Sequence, residues 1–288
     1  MRSYDGRADG PDAEEVALAA GDVTEGVVRV GGTVRRPAQP QSAAVAAYLD
    51  HLEAVGFDGA PRFLGRDGEG RDVLTFVPGG VAGSPPEPWA ADAGLLASVG
   101  MLLRRLHDAS EGFLRESGFA APDGGVWRRQ LVPVEVPVPD PEPELVCHLD
   151  VTPQNVVVRG GRAAALIDFD LAGPGTRLLD VYNTAMHWAP LGAPEDVYEG
   201  WPVRDDRERL ERVRILADGY GLDEESREAM PDLAISRCAS SWHRMKASAE
   251  QLGGGWARMW EEGVGDMILR REGWLKDHRQ EMLDTLLG

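Results

Sequence analysis

The chain has 288 residues, with 48 acidic side chains against 30 Lys and Arg and a formal net charge of −18. That balance argues against a general nucleic-acid binder, because a phosphodiester backbone repels such a surface; it serves solubility and would attract a small cationic substrate. Hydrophobic residues make up 43%, enough for a substantial core, and no apolar run reaches the roughly 18 residues of a membrane span.

Two cysteines, Cys147 and Cys238, give neither a disulfide framework nor a zinc spacing. The opening MRSYDGRADGPDAEE has no apolar stretch of the secretory kind and reads as a frayed polar tail to residue 13, so a cytoplasmic location is expected.

Residues 16–36 alternate in polarity and carry glycines. They read as a strand, a glycine-bearing turn from Gly21 to Gly26, a strand from Val27 to Val30, a tight turn at Gly31-Gly32 and a strand from Thr33 to Arg36. Residues 42–55 have helical spacing, with Ser42 as a candidate N-cap. Two more strands flank the Asp67-Gly68 turn and complete an antiparallel sheet that breaks at Pro78-Gly79-Gly80. A Pro-rich linker, 81–91, precedes an apolar helix from Asp92 to His107, whose terminal His107 is expected to be satisfied by backbone. Residues 120–145 are rich in Pro and Gly; Trp127 and the arginines beside it read as an exposed loop, with a place on the substrate side as the alternative. Further helices are predicted at 178–188, at 204–219 with Gly219 at its end, at 223–252 and at 255–286, with their tryptophans in the core.

The most informative stretch is Cys147-His148-Leu149-Asp150-Val151-Thr152-Pro153-Gln154-Asn155, followed by a β-rich run, a turn at Arg159 to Arg162, a second apolar run and then Asp168. A hairpin would return Asp168 to face Asn155. Phosphoryl transfer needs an aspartate beside the attacking hydroxyl and hard oxygen ligands for Mg²⁺. Asp150 suits the first role, Asn155 and Asp168 the second.

CHLDVTPQNVVV and ALIDFD together resemble the catalytic and metal-binding segments of the aminoglycoside phosphotransferase family. The resemblance implies an α+β, bilobal, protein-kinase-like fold. Residues 14–80 would form a small antiparallel N-lobe with one helix, 81–91 the hinge and linker, and 92–288 a larger, mainly helical C-lobe. It further implies ATP or GTP with Mg²⁺, and a small hydroxyl compound as acceptor, aminoglycosides being the best-known. Asp150 would be the catalytic base, Asn155 and Asp168 the metal ligands, and His148 and Asp180 structural supports. The Gly21 turn would cover the phosphates, Thr75 C=O and Val77 N–H would pair with the adenine, and an arginine of the third strand, Arg36 or alternatively Arg35, would touch the phosphates. Asp170 could reach the metal or substrate, or cap a turn. Glu195, Asp196, Glu261, Glu262 and Asp266 are candidates to bind substrate amines.

The segment after Asp168 is too short for a protein-kinase activation loop and lacks an Ala-Pro-Glu anchor. Two departures stand out. No Lys precedes Lys246, and Glu53, the one Glu of the 42–55 helix, sits near its C-terminal end. Either the strand cation lacks its usual acidic partner or another acid substitutes. The departures leave open an alternative: a weakly catalytic binding or toxin-immunity protein on the same fold.

Overall fold

The computed structural model describes residues 2–4, 6, 14–18, 26–113, 121, 125–138 and 141–288. Five short strands, β1 (Glu15–Ala17), β2 (Val28–Val30), β3 (Thr33–Arg36), β4 (Phe63–Arg66) and β5 (Asp72–Thr75), form one antiparallel sheet in the order β1-β2-β3-β5-β4. Gly21 and its turn lie outside the described residues. Residues 2–4 are not a frayed end: Tyr4 N–H donates to Arg66 O and Arg66 N–H to Arg2 O, a short pairing along β4.

Helix α1 (Ser42–Ala54) follows β3. Ser42 is not its N-cap. Gln41 holds that position without a side-chain bond, while the Ser42 hydroxyl donates to the buried Asp72 carboxylate on β5 and accepts from Gln39 N–H. Ser42 therefore ties the helix start to the sheet. The buried side of α1, with Tyr48, Leu49 and Leu52, belongs to the same apolar core as the Leu95, Leu96, Leu103 and Leu106 side chains of α2 (Ala93–Ser110). The two lobes thus share one core, and the Tyr48 hydroxyl reaches across to Val146 O at 3.2 Å.

The rest of the C-lobe contains α3 (Arg177–Trp188), α4 (Asp206–Tyr220), α5 (Glu224–Leu252), α6 (Gly254–Glu261), α7 (Val264–Asp277) and α8 (Arg279–Leu287). Helix α2 packs on α4 through glycines. A Cβ on Gly100 would lie 2.6 Å from Leu216 O, and one on Gly219 2.3 Å from Ala97 O, closer than carbon tolerates. Gly219 is therefore a contact residue inside α4, and the helix is ended two residues later by the left-handed Gly221. The single helix expected over 255–286 is three. Gly263, at φ +93°, breaks the first junction, and His278 folds its ring back onto Trp274 O at the second.

Two other expectations fail for one reason, burial. Trp127 is fully buried against the Phe113 ring. His107 is also fully buried, and its ring nitrogens meet Asp180 and the Tyr220 hydroxyl, not backbone. No helix among the described residues is long and apolar enough to cross a membrane.

Candidate active site

Two small β pairs frame the motif. β6 (Leu145–Cys147) pairs with β9 (Gly173–Gly175), and β7 (Val156–Arg159) pairs with β8 (Arg162–Leu166). Cys147 is held opposite Gly173 and Val156 opposite Leu166, so the loops 148–155 and 167–172 must face each other. Cross-links between them follow. Ile167 N–H donates to Asn155 O at 2.9 Å, His148 Nε2 donates to Ile167 O at 3.1 Å, and the His148 and Phe169 rings stand 4.5 Å apart.

His148 is a brace. With Nε2–H given to Ile167, its Nδ1 accepts from Asp150 N–H at 3.3 Å, which fixes the neutral tautomer. Burial pushes its pKa down, against the opposing pull of Asp180 and Asp168. Asp180 lies in the first turn of α3 and is fully buried. Its carboxylate accepts from His148 N–H at 2.8 Å, from Leu149 N–H at 2.9 Å and from His107 Nε2 at 3.0 Å. Burial alone would raise its pKa, but the His107 bond and charge and the backbone donor at His148 bring it below the ordinary value.

Those bonds hold an unusual backbone. Among the described residues, Leu149 (φ +64°) and Asp168 (φ +60°) are the non-glycine residues with positive φ. Each such residue costs roughly 1–3 kcal/mol and persists only where its surroundings over-determine it. One lies immediately before Asp150, and the other, Asp168, stands at the exit of the β7–β8 hairpin.

The Asn155 amide donates to Asp150 Oδ2 at 2.8 Å and to Asp150 O at 3.0 Å. Its Nδ2 is thereby turned toward the loop, leaving Oδ1 as the acceptor end of the side chain. Asp168, at the exit of the β7–β8 hairpin, is roughly a third exposed. An amide oxygen and a carboxylate brought to one end of a hairpin are hard oxygen donors of the kind Mg²⁺ takes.

Strand alternation separates the two arginines of β3. Arg35 goes to one face, where it meets Asp67 at 3.1 Å and stacks over Tyr4. Arg36 goes to the other, where it pairs with Asp168 at 3.2 Å and with Asp170. Burial lowers the Arg36 pKa and the Asp170 and Asp168 carboxylates raise it, with a net upward shift. Another acid thus stands where the helix glutamate is missing: Asp170, from the motif itself. Glu53 instead pairs with Arg62 at 3.4 Å, and Gln41 at the start of α1 gives its amide to Asp170 O at 3.4 Å.

Thr75 ends β5, and Val77 follows it half-buried, before Gly80 exchanges backbone bonds with Val158 of β7 at 3.1 and 2.7 Å. The linker is thereby fastened to the motif hairpin. Its later part is not all loop: Pro88–Ala91 make one 3-10 turn. The acidic residues considered for amine binding lie elsewhere. Glu195, Glu261, Glu262 and Asp266 are exposed, and Asp196 is paired with Arg270.

Sequence reasoning missed Gln41 and Trp256, which with Arg128, weighed only as a neighbour of Trp127, line a cavity beside Asp168 and Asp170. No motif marks them. They come from three distant segments and meet only in the fold.

Residues 127–213 match the model of the phosphotransferase enzyme family. The chain is 34% identical over 229 residues to the trifolitoxin immunity protein of Rhizobium leguminosarum bv. trifolii, covering 77% of this chain and 80% of that one. Among solved structures it is similar to a choline/ethanolamine kinase family protein from Mesorhizobium loti, at 17% identity and TM-score 0.55 over 98% of this chain and 94% of that one. It is also similar to an ethanolamine kinase from Plasmodium vivax (12%, TM-score 0.59, 94% and 83%) and to APH(2″)-IIa in a streptomycin–ATP ternary complex (13%, TM-score 0.55, 91% and 93%). With the small antiparallel sheet, the larger helical lobe and the motif loops between them, these likenesses establish a protein-kinase-like fold, and the chain belongs to the phosphotransferase enzyme family.

Proposed function

We propose that the protein moves the γ-phosphate of ATP or GTP to a hydroxyl of a small molecule. The observation that carries this reading is the convergence of the 148–155 and 167–172 loops, with Asp150 hydrogen-bonded to Asn155 and Asp168 at the adjoining hairpin exit. Asp150 orients the acceptor hydroxyl and takes its proton, the Asn155 bond fixing its carboxylate. Asn155 Oδ1 and Asp168 would hold Mg²⁺, which supplies charge neutralisation at the transferring phosphoryl group. Arg36 contributes the phosphate-side cation, a role a guanidinium can fill through its paired donors. Thr75 C=O and Val77 N–H, beside the linker, are the proposed adenine contacts.

Nucleotide binding is the direct test. ATP or GTP with Mg²⁺ at about 100 times its dissociation constant should stabilise the protein by roughly 2.7 kcal/mol, read as a rise in Tm that shrinks when EDTA replaces the metal. A panel of hydroxyl metabolites and antibiotics scored for ADP or GDP release should then give turnover. A second reading, toxin immunity by binding, is favoured by the 34% identity to a trifolitoxin immunity protein. Absence of any shift with either purine nucleotide would favour it over phosphotransfer.

A further inference from the structure

Beside the motif lies a cavity of about 290 Å³, between the start of α1 (Gln39, Pro40 and Gln41), the Asp168 and Asp170 carboxylates, Arg128, and the α5–α6 junction at Leu252 to Trp256. We propose that this cavity is the acceptor site and that it takes a small hydroxyl compound carrying an anionic group, not a polyamine. This deepens the phosphotransferase reading and rests on it for the transfer step, but not for the preference in binding.

Four observations support the assignment. First, Arg128 is presented on an anchored turn. The fully buried Trp127 precedes it, Gln130 N–H and Leu131 N–H close the turn onto Trp127 O and Arg128 O, and the Gln130 amide oxygen returns to Trp127 N–H. Its half-buried guanidinium lies 4.9 Å from the centroid of the Trp256 ring and, among the described residues, makes no ion pair.

Second, the carboxylates on the cavity wall are already partnered. Asp168 and Asp170 both bind Arg36, so Arg128 is the lining cation left to meet a ligand charge. Burial lowers the Arg128 pKa, only partly offset by Asp170, and a desolvated guanidinium gains more from an anion than one in water.

Third, Gln41 lines the cavity and is 3% exposed, yet its Oε1 has no hydrogen-bond partner among the described residues; nor has the buried Trp256 Nε1. Buried polar atoms without partners are rare and point to a missing ligand or water. Together they supply an acceptor and a donor for a hydroxyl-rich molecule.

Fourth, part of the wall is the Gly253-Gly254-Gly255 run at the start of α6. The N-terminal end of a helix carries partial positive charge and favours anions. Among the described residues, none of Glu195, Asp196, Glu261, Glu262 and Asp266 lines this cavity, and the two carboxylates that do, Asp168 and Asp170, are bound to Arg36.

The test uses matched probes on the full chain: glycerol, D-glycerate, sn-glycerol 3-phosphate and ethanolamine, then glucose, gluconate, glucose 6-phosphate and glucosamine. Dissociation constants are measured by calorimetry with and without Mg²⁺–ADP. The anionic member of each set should bind tenfold or more tighter than its neutral parent, the amine no tighter than the parent, on the scale of a charge-assisted hydrogen bond. Comparison of glycerate with glycerol 3-phosphate decides between a carboxylate and a phosphate group. Arg128→Gln should erase the preference, Arg128→Glu should reverse it, and Arg128→Lys should keep most of it; circular dichroism checks that each variant folds. Amine preference, equal binding, failure of every anionic probe to bind, or a preference that survives Arg128→Gln would overturn the assignment, even with nucleotide binding and turnover intact. Arg128-dependent anion binding without any nucleotide binding would support the cavity assignment and count against phosphotransfer instead.

Discussion

Replacing Asp150 by alanine should lower kcat for phosphate transfer by about 10²- to 10⁴-fold, the usual worth of a positioned general base, while nucleotide affinity changes little. The carboxylate sits between two constraints: its backbone N–H is held by His148 Nδ1 and its Oδ2 by the Asn155 amide. It is oriented by the loop and is not among the partners of Arg36, which pairs with Asp168 and Asp170. Phosphate-side binding should therefore survive its loss. The check is a paired measurement of turnover and nucleotide dissociation constant on the same preparation. Loss of nucleotide binding with the substitution would mean that Asp150 belongs to the nucleotide or metal site and not beside the acceptor.

The largest effect on stability is expected at Asp180. Asp180→Ala should cost about 3–5 kcal/mol, because it leaves the buried His148 and Leu149 N–H groups and the His107 ring without their acceptor. It should also relax the left-handed Leu149 and so abolish activity, although Asp180 touches no reacting group. Urea unfolding followed by fluorescence gives the cost. Asp108→Ala is the comparison: its ion pairs with Arg104 and Arg177 are solvent-exposed and should be worth about 1 kcal/mol or less. If Asp180→Ala cost no more than that comparison, the bracing role would be wrong.

Much of the sheet and of the motif hairpin was legible because strand alternation and the Asp-x-x-x-x-Asn spacing are local signals. Alternation along β3 sends its two arginines to opposite faces, so that one had to face the motif. Other features were not local. Nothing in the sequence around Trp127 or His107 marks them as buried: the Phe113 ring packs on the first, and Asp180 and Tyr220, far along the chain, close over the second. The substitution of Asp170 for a helix carboxylate is likewise a contact between residues 134 positions apart. Gly219 and Gly263 look alike as punctuation, yet one serves helix contact and the other a helix break.

The central claim is that Asn155 and Asp168 hold a divalent ion against a nucleotide phosphate. The most direct measurement is a crystal of the protein with a non-hydrolysable ATP analogue and Mn²⁺, examined for anomalous scattering. The account predicts a peak bonded to Asn155 Oδ1 and an Asp168 oxygen, with the nucleotide phosphates beside Arg36. A peak bonded to neither residue, with nucleotide present, would contradict it.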